Sequence, residues 1–332
     1  MNEYGLSILP DVTGKEVEIT SGSRAMSYLG YHKKEVGSNN YITVTVPNKT
    51  PGSTLYIVPV TMGAMVLGGT GNVTSAIIVD NIAINDNVIT LHINEYFKYI
   101  YPSFAVFEVL GASDTTESYG IVLSDATNYL EISDVSKAGC CVWCGNVTIN
   151  GSWSIPTTIP GWQNAVAFVN WSSSDAALMF DDSTKTISCY QVVGDGNIQP
   201  ATVNANIAVF SSDFNLELPE YGLAIWNANG VCTFSSKYAP MLLAGTVSLN
   251  TNPGTWVSCP VAKPMIPVGG VGAMKVWSSG GRAGWSECGI KMSGNAITGG
   301  AGRYMNSVTD SNMNRSLVSP VSFPVLDATN YF

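Results

Sequence analysis

Charge is what this sequence has least of. Of its 332 residues only 12% are Asp, Glu, Lys or Arg, while 45% are hydrophobic; ordinary soluble domains carry about 25% charged residues. The 15 basic and 24 acidic residues leave a net charge of −9. So few cations provide no stripe to neutralise a phosphate backbone, which excludes nucleic acid as a partner. Attachment to an anionic membrane through a polybasic patch is excluded by the same count. The surface must be covered instead by Ser, Thr, Asn and Gly. Weak repulsion between neighbours suits a chain that works packed in an assembly.

Catalytic chemistry is equally sparse. There are two histidines. His32, beside Lys33 and Lys34 in an expected turn, and His92, on the polar face of an expected strand, both read as surface residues. No Gly-x-Ser-x-Gly elbow precedes a helix, and Gly68-Gly-Thr-Gly71 lacks the Lys and Ser/Thr of a phosphate loop, so it reads as a turn. Asp181-Asp182 is an adjacent acidic pair in an expected hairpin turn, where Asp satisfies local backbone donors. A polysaccharide hydrolase would need two carboxylates facing one bond, and spacing alone brings none together. Seven cysteines, Cys140, Cys141, Cys144, Cys189, Cys232, Cys259 and Cys288, form no recurring framework. They are expected to be free thiols. Cys141-x-x-Cys144 has no second pair at zinc-ribbon spacing, and no cofactor or metal is expected.

Helical periodicity is missing too. Apolar residues never recur at helical spacing for three turns, and Glu95 to Ile100 is at best one turn. Tyr56 to Val79 holds no charge, but Pro59, Thr61 and the glycines at 68–71 mark two buried strands around a turn, not a membrane span. The N-terminus shows no basic region followed by an apolar core, so no signal peptide is expected.

What the sequence does contain is a threefold echo. Tyr4-Gly-Leu-Ser-Ile, Tyr119-Gly-Ile-Val-Leu and Tyr221-Gly-Leu-Ala-Ile each begin an apolar segment. Each is followed by a second one, at Val17–Thr20, Tyr129–Ser133 and Val231–Ser235. A glycine then precedes a further extended run, at Gly30, Gly145 and Gly245, with two residues inserted in the middle copy. Later in each third comes a hairpin: Ile82–Ile84 with Val88–Ile93, Leu178–Phe180 with Thr186–Tyr190, and Gly289–Met292 with Ala296–Thr298. Closing strands follow at Phe104–Leu110, Ile207–Phe210 and Ser322–Leu326. Tyr41–Val46 alternates strictly, as a half-buried strand does. The expected fold is therefore all-β, three tandem β-sandwich-like modules with little helix, over residues 1–113, 114–215 and 216–332. Tyr4, Gly5, Tyr119, Gly120, Tyr221 and Gly222 are expected to be its structural signature, with the tyrosines as buried first-strand residues. Replacing a buried Tyr221 by Ala would cost on the order of 3 kcal/mol. In the last module Trp277, Arg282, Trp285 and Arg303 lie in a glycine-rich reach and are candidate contacts for a partner or a sugar.

The Tyr-Gly-Leu/Ile strand, the Asn227-Ala-Asn-Gly230 turn, the apolar strand ending in Ser235-Ser236 and the later glycine resemble the β-modules of tailed-bacteriophage tail proteins. The resemblance covers about a quarter of the chain and is closest over Tyr221 to Leu249. It implies a non-enzymatic structural component of a virion tail, at the tail tip, fibre or fibre attachment point. Such a protein is made in the host cytoplasm and works as a homo-oligomer, a trimer or higher, beside other tail proteins. Two further readings stand beside it. One is a receptor-binding protein that recognises a bacterial surface glycan or outer-membrane protein through the last module; the other is a polysaccharide hydrolase.

Overall fold

A computed structural model describes residues 5–20, 23–36, 39–67, 73–94, 101–110, 120–124, 129–133, 137–309 and 316–332. Apart from short 3-10 turns, every regular element described is a β-strand. The first third holds β1 (Gly5–Ile8), β2 (Val17–Thr20), β3 (Ser27–Lys33), β4 (Tyr41–Thr45), β5 (Thr54–Leu67), β6 (Val73–Asn85), β7 (Val88–Ile93) and β8 (Ser103–Val109). The second holds β9 (Gly120–Ser124), β10 (Tyr129–Ser133), β11 (Cys140–Asn150), β12 (Ser152–Ser154), β13 (Val166–Trp171), β14 (Ser173–Asp181), β15 (Thr186–Val193), β16 (Asn197–Pro200) and β17 (Thr202–Ser211). The third holds β18 (Ala224–Trp226), β19 (Cys232–Ser235), β20 (Gly245–Ser248), β21 (Val257–Ser258), β22 (Pro264–Pro267), β23 (Gly270–Ser279), β24 (Arg282–Ser293), β25 (Ala296–Thr309), β26 (Leu317–Val318) and β27 (Ser322–Asp327). The expected helical turn at 95–100 and the glycines at 68–71 lie outside the described residues. Among those described, no helix is long and apolar enough to cross a membrane.

One pairing scheme recurs in each third. A separate two-stranded hairpin opens it: β1–β2, β9–β10 and β18–β19. The next strand pairs with the closing strand, whose other edge takes a central strand, giving β3–β8–β5, β11–β17–β13 and β20–β27–β22. A second sheet is built on the late hairpin, as β4–β7–β6, β12–β15–β14 and β21–β25–β24. The pattern in the strands fits this sandwich. β4 alternates exposed and buried along its length, whereas β8, covered on both faces, is buried throughout. The run Phe104–Leu110 is apolar except for Glu108, whose buried carboxylate accepts from Thr50 N, Thr50 Oγ1 and Ser53 Oγ.

The three units close around a common centre. The segments after the opening hairpins meet there: Met26 N donates to Met241 O, Met241 N to Gly139 O, and Gly139 N back to Met26 O, at 2.9, 2.8 and 2.8 Å. A second ring runs outside the first, with Tyr28 N to Lys137 O, Cys141 N to Ala239 O and Leu243 N to Arg24 O. Each junction thus carries one bond from each ring, and the bridges Ala25 to Leu242, Ser27 to Ala138 and Cys140 to Pro240 lie between them. Such cyclic closure is the hydrogen-bonding pattern of an internal threefold. No Cβ fits comfortably at Gly139, where one would lie 3.1 Å from Met26 O and 3.2 Å from the Met241 side chain. The glycine leaves room for both methionines at the centre.

A core containing Met26, Phe107, Phe168, Phe210, Met241, Met265, Leu326 and Tyr331 surrounds these rings and draws on all three units. Phe210 meets Phe168 and Tyr331 edge to face. The Tyr331 hydroxyl accepts from Leu242 N and donates to Pro240 O. The first unit has an inter-sheet core around Ile42, Ile57, Leu91 and Phe104, which Val321 of the third unit joins. The second and third share one, from Ile149, Ile187 and Ile207 to Ile266, Ile290 and Phe323. Strands also pair between units, β13 with β22, β14 with β24 and β5 in parallel with β23. The units are therefore fused laterally as well as at the centre.

Three details of the expected repeat need correction. The hydrogen-bonded rings align Thr20, Ser133 and Ser235 with constant spacing to Met26, Gly139 and Met241, so no insertion follows the second hairpin. The bulges that separate Tyr28 from Gly30 and Cys141 from Trp143 are equivalent, which makes Trp143, not Gly145, the counterpart of Gly30. In the third hairpin Ala224 pairs with Ser235 as Gly5 pairs with Thr20 and Gly120 with Ser133. Tyr221 and Gly222 consequently precede the strand instead of starting it. Tyr221 is 89% exposed, which overturns its expected burial. Gly222 has φ +150°, and a Cβ on it would lie 2.2 Å from Ser236 Oγ. The close approach expected there is present, but as a bend against Pro219 and Ser236. Gly5 and Gly120 do begin β1 and β9, while Tyr4 and Tyr119 lie outside the described residues.

Candidate functional site: three grooves between the units

Where units meet away from the centre, the late hairpin of one lies against the sheet of the next and leaves a groove. The first unit's β6 faces Thr246 and Pro320–Pro324 of the third. The second unit's β14–β15 turn faces β3, β5 and β8 of the first. The third unit's turn at Gly294 faces β11, β13 and β17 of the second. The three grooves occupy equivalent places. Equivalent cross-strand rows reach them: Lys33–Ser103–Thr61 and Asn146–Asn206–Asn170 line their grooves in full, and of Ser248–Ser322 only Ser322 does.

Their chemistry differs. The groove between the first and third units is mostly apolar, walled by Leu55, Ile57, Ile82, Ile84, Val321 and Pro324. The one between the second and third is lined by amides and hydroxyls, with Thr148 donating to Asn204 and Asn170 reaching across to Pro264 O. The groove between the first and second units, about 340 Å³, is charged and is completed by Glu287 and Arg303 of the third. Its size falls in the small-molecule range, near the lower end.

Fixed polar geometry builds this charged groove. Arg303 Nε and Nη2 donate to Glu287 Oε2 and Oε1 at 3.1 and 3.0 Å, the planar fork that orients both groups. Hydrogen bonds to Glu287, then its charge, raise the pKa of the guanidinium above its ordinary value. Below the turn, Asp182 accepts from the Tyr31 hydroxyl and from Lys185 Nζ, each at 2.6 Å. Lys185 is 4% exposed, and its ammonium lies over the rings of Tyr31 and Phe180. Burial first, then the bond to Asp182, pushes the Tyr31 phenol far above its usual range. Asp181 caps its own turn by accepting from Ser183 N, Ser183 Oγ and Thr184 N. Burial is the largest single influence on Asp181 and pushes its pKa up, but these bonds and the Arg303 charge outweigh it, so the net shift is downward. Tyr101, 42% exposed, and the half-buried Tyr190 also line the groove.

The four candidate contacts of the last unit are not one surface. Trp285 is fully buried in a small core with Ala76, Ala273 and Ala283, so it is corrected from contact to core. The glycine-rich reach around it is strand β24, not a loop. Trp277 lies across Gly284 on β23, half-buried. Arg282, exposed at the hairpin tip, donates to Ser307 O and Oγ. Only Arg303 reaches a groove. The partners that sequence reading missed there, Lys33, Tyr101, Tyr190 and Glu287, carry no local motif and are assembled by packing of the units. The Asp181-Asp182 pair was visible, and its turn role holds for Asp181, but Asp182 turns toward the first unit.

His32 also differs from expectation. It lies in β3, not in a turn, against the Phe104 ring, and burial, then Lys34, lowers its pKa. His92 keeps its strand position, beside Asp80 and the Tyr41 ring. Cys140 enters the core shared by the second and third units and Cys141 the central one, so these adjacent thiols face apart. Burial raises the Cys140 pKa to about 12.

Comparison with known proteins adds a family and no function. No curated protein and no solved structure matches. A family model spans residues 5–310, from β1 through β25: the chain belongs to a family of unknown function, DUF6453.

Proposed function

We propose that this chain is a non-enzymatic component of a tailed-bacteriophage virion tail, at the tip, fibre or fibre attachment point, that works through protein–protein interfaces. The observation that carries the reading is the internal threefold closed by the Met26–Gly139–Met241 ring. A single chain with such a centre can sit on the axis of a threefold or sixfold tail, because symmetric assemblies require matching faces at their axes. The resemblance of the opening hairpins to tail-protein modules supports the same reading. An interface also has a place to form. On the third hairpin and the segment before it, Tyr221 is 89% exposed, Leu218 54%, Val231 48%, Trp226 47% and Leu223 38%, a concentration of apolar and aromatic side chains typical of partner surfaces. Three units of one chain close the ring without a second copy, so the proposed place on the axis is filled by a single chain among other tail proteins.

A second reading, recognition of a bacterial surface glycan, is favoured by the charged groove and its tyrosines. Cleavage there is not: Asp181 is held low, Glu287 is forked with Arg303, and Asp182 is held by Lys185 and Tyr31. A glycosidase needs one carboxyl kept protonated. Electron density of intact virions, with labelling by antibody to this chain, tests the tail assignment. Density for one copy on the tail axis supports it, and particles lacking the chain overturn it.

A further inference from the structure

We propose that the groove between the first and second units binds a neutral oligosaccharide, with the Arg303–Glu287 fork fixing its hydroxyls and Tyr101 and Tyr190 receiving its C–H faces. This deepens the glycan reading and rests on it, not on a position in the tail. The three grooves occupy equivalent places yet differ in chemistry. A junction that only had to hold units together could be walled by apolar side chains, as the first–third groove of about 450 Å³ is. The first–second junction instead includes the Lys185–Asp182 pair and commits Tyr31 to it. Burying such a pair stabilises little compared with apolar packing. Its effect is to hold the Asp181–Asp182 turn in one position against the neighbouring unit.

The class of ligand follows from what remains available. The charges in and beneath the groove balance: Lys33, Lys185 and Arg303 against Asp181, Asp182 and Glu287. A ligand with strong net charge therefore gains little there. Sugar hydroxyls donate and accept at once, so they need donors and acceptors at fixed spacing. The forked guanidinium and carboxylate supply both in one plane. A pyranose also has an apolar C–H face, which stacks on an aromatic ring, and tyrosine offers such a face at small cost in conformational entropy. The equivalent Asn146–Asn206–Asn170 groove offers amides, but its aromatic, Trp171, is buried, and its described walls hold no tyrosine and no forked pair, which makes it an internal control.

The test uses the full chain against an array of immobilised neutral bacterial oligosaccharides, with a matched acidic set and a set of acidic peptides. Neutral members are expected to bind. Arg303→Ala and Tyr101→Ala, both at exposed side chains, are each expected to weaken binding at least tenfold with an unchanged melting temperature. Asn206→Ala in the control groove is expected to leave it unaltered. Binding confined to acidic sugars or peptides, binding indifferent to Arg303 and Tyr101, or none across the array would overturn the proposal. Such failure would leave the virion-density test of the tail assignment untouched.

Discussion

The centre of the molecule and the grooves at its edge are repeated three times each, yet they answer to opposite physical constraints. At the centre, backbone groups make the contacts, so three different residues, Met26, Gly139 and Met241, satisfy one ring. What the sequence must supply there is volume, and a glycine between two methionines supplies it. In the grooves the side chains make the surface, and equivalent positions carry Lys33 in one groove and Asn146 in another. Geometry is kept where buried backbone donors and acceptors must be paired. Chemistry is free to diverge where water or a ligand can satisfy it.

The sharpest way to break this contrast is at the centre. Phe210→Ala removes a fully buried ring between Phe168 and Tyr331 and is expected to destabilise by about 3–5 kcal/mol in urea unfolding. Gly139→Val forces a Cβ against Met26 O and Met241, with an expected cost of about 1–3 kcal/mol. Tyr331→Phe leaves Leu242 N without its acceptor, for about 1–3 kcal/mol.

Groove substitutions are expected to do far less to stability. Asp181→Asn sharpens this point through pH. The Asp181 pKa is lowered in the folded chain, so its contribution is present above the ordinary value and is lost as pH falls through the folded one. Wild type and variant should therefore differ at neutral pH and converge in acid, measured by melting temperature across pH. Tyr221→Ala, at a side chain 89% exposed, is expected to shift stability by no more than about 0.5 kcal/mol. A loss near 3 kcal/mol would restore the buried-tyrosine reading of the repeat.

Much of the fold was legible because strands report their surroundings locally. Tyr41–Thr45 alternates in sequence and in burial, and the late hairpins Asn85–Val88, Asp181–Thr186 and Ser293–Ala296 fall where turn residues interrupt apolar runs. Register was less legible. Tyr221-Gly222 copies the motif of Gly120, but a bulge near Trp226 and the bend at Gly222 place it ahead of the ladder. Trp285 looked like a loop contact because glycines surround it, whereas those glycines lie in paired strands. The charged groove was legible only in fragments. Lys33, Tyr190 and Arg303 belong to different units, and nothing in local spacing encodes their meeting.

The central claim is that three units form one body around an internal threefold. Scanning calorimetry of the intact chain tests it most directly. The shared cores and inter-unit strand pairs predict one transition whose calorimetric and van't Hoff enthalpies agree. Three separable transitions, each carrying about a third of the enthalpy, would contradict it.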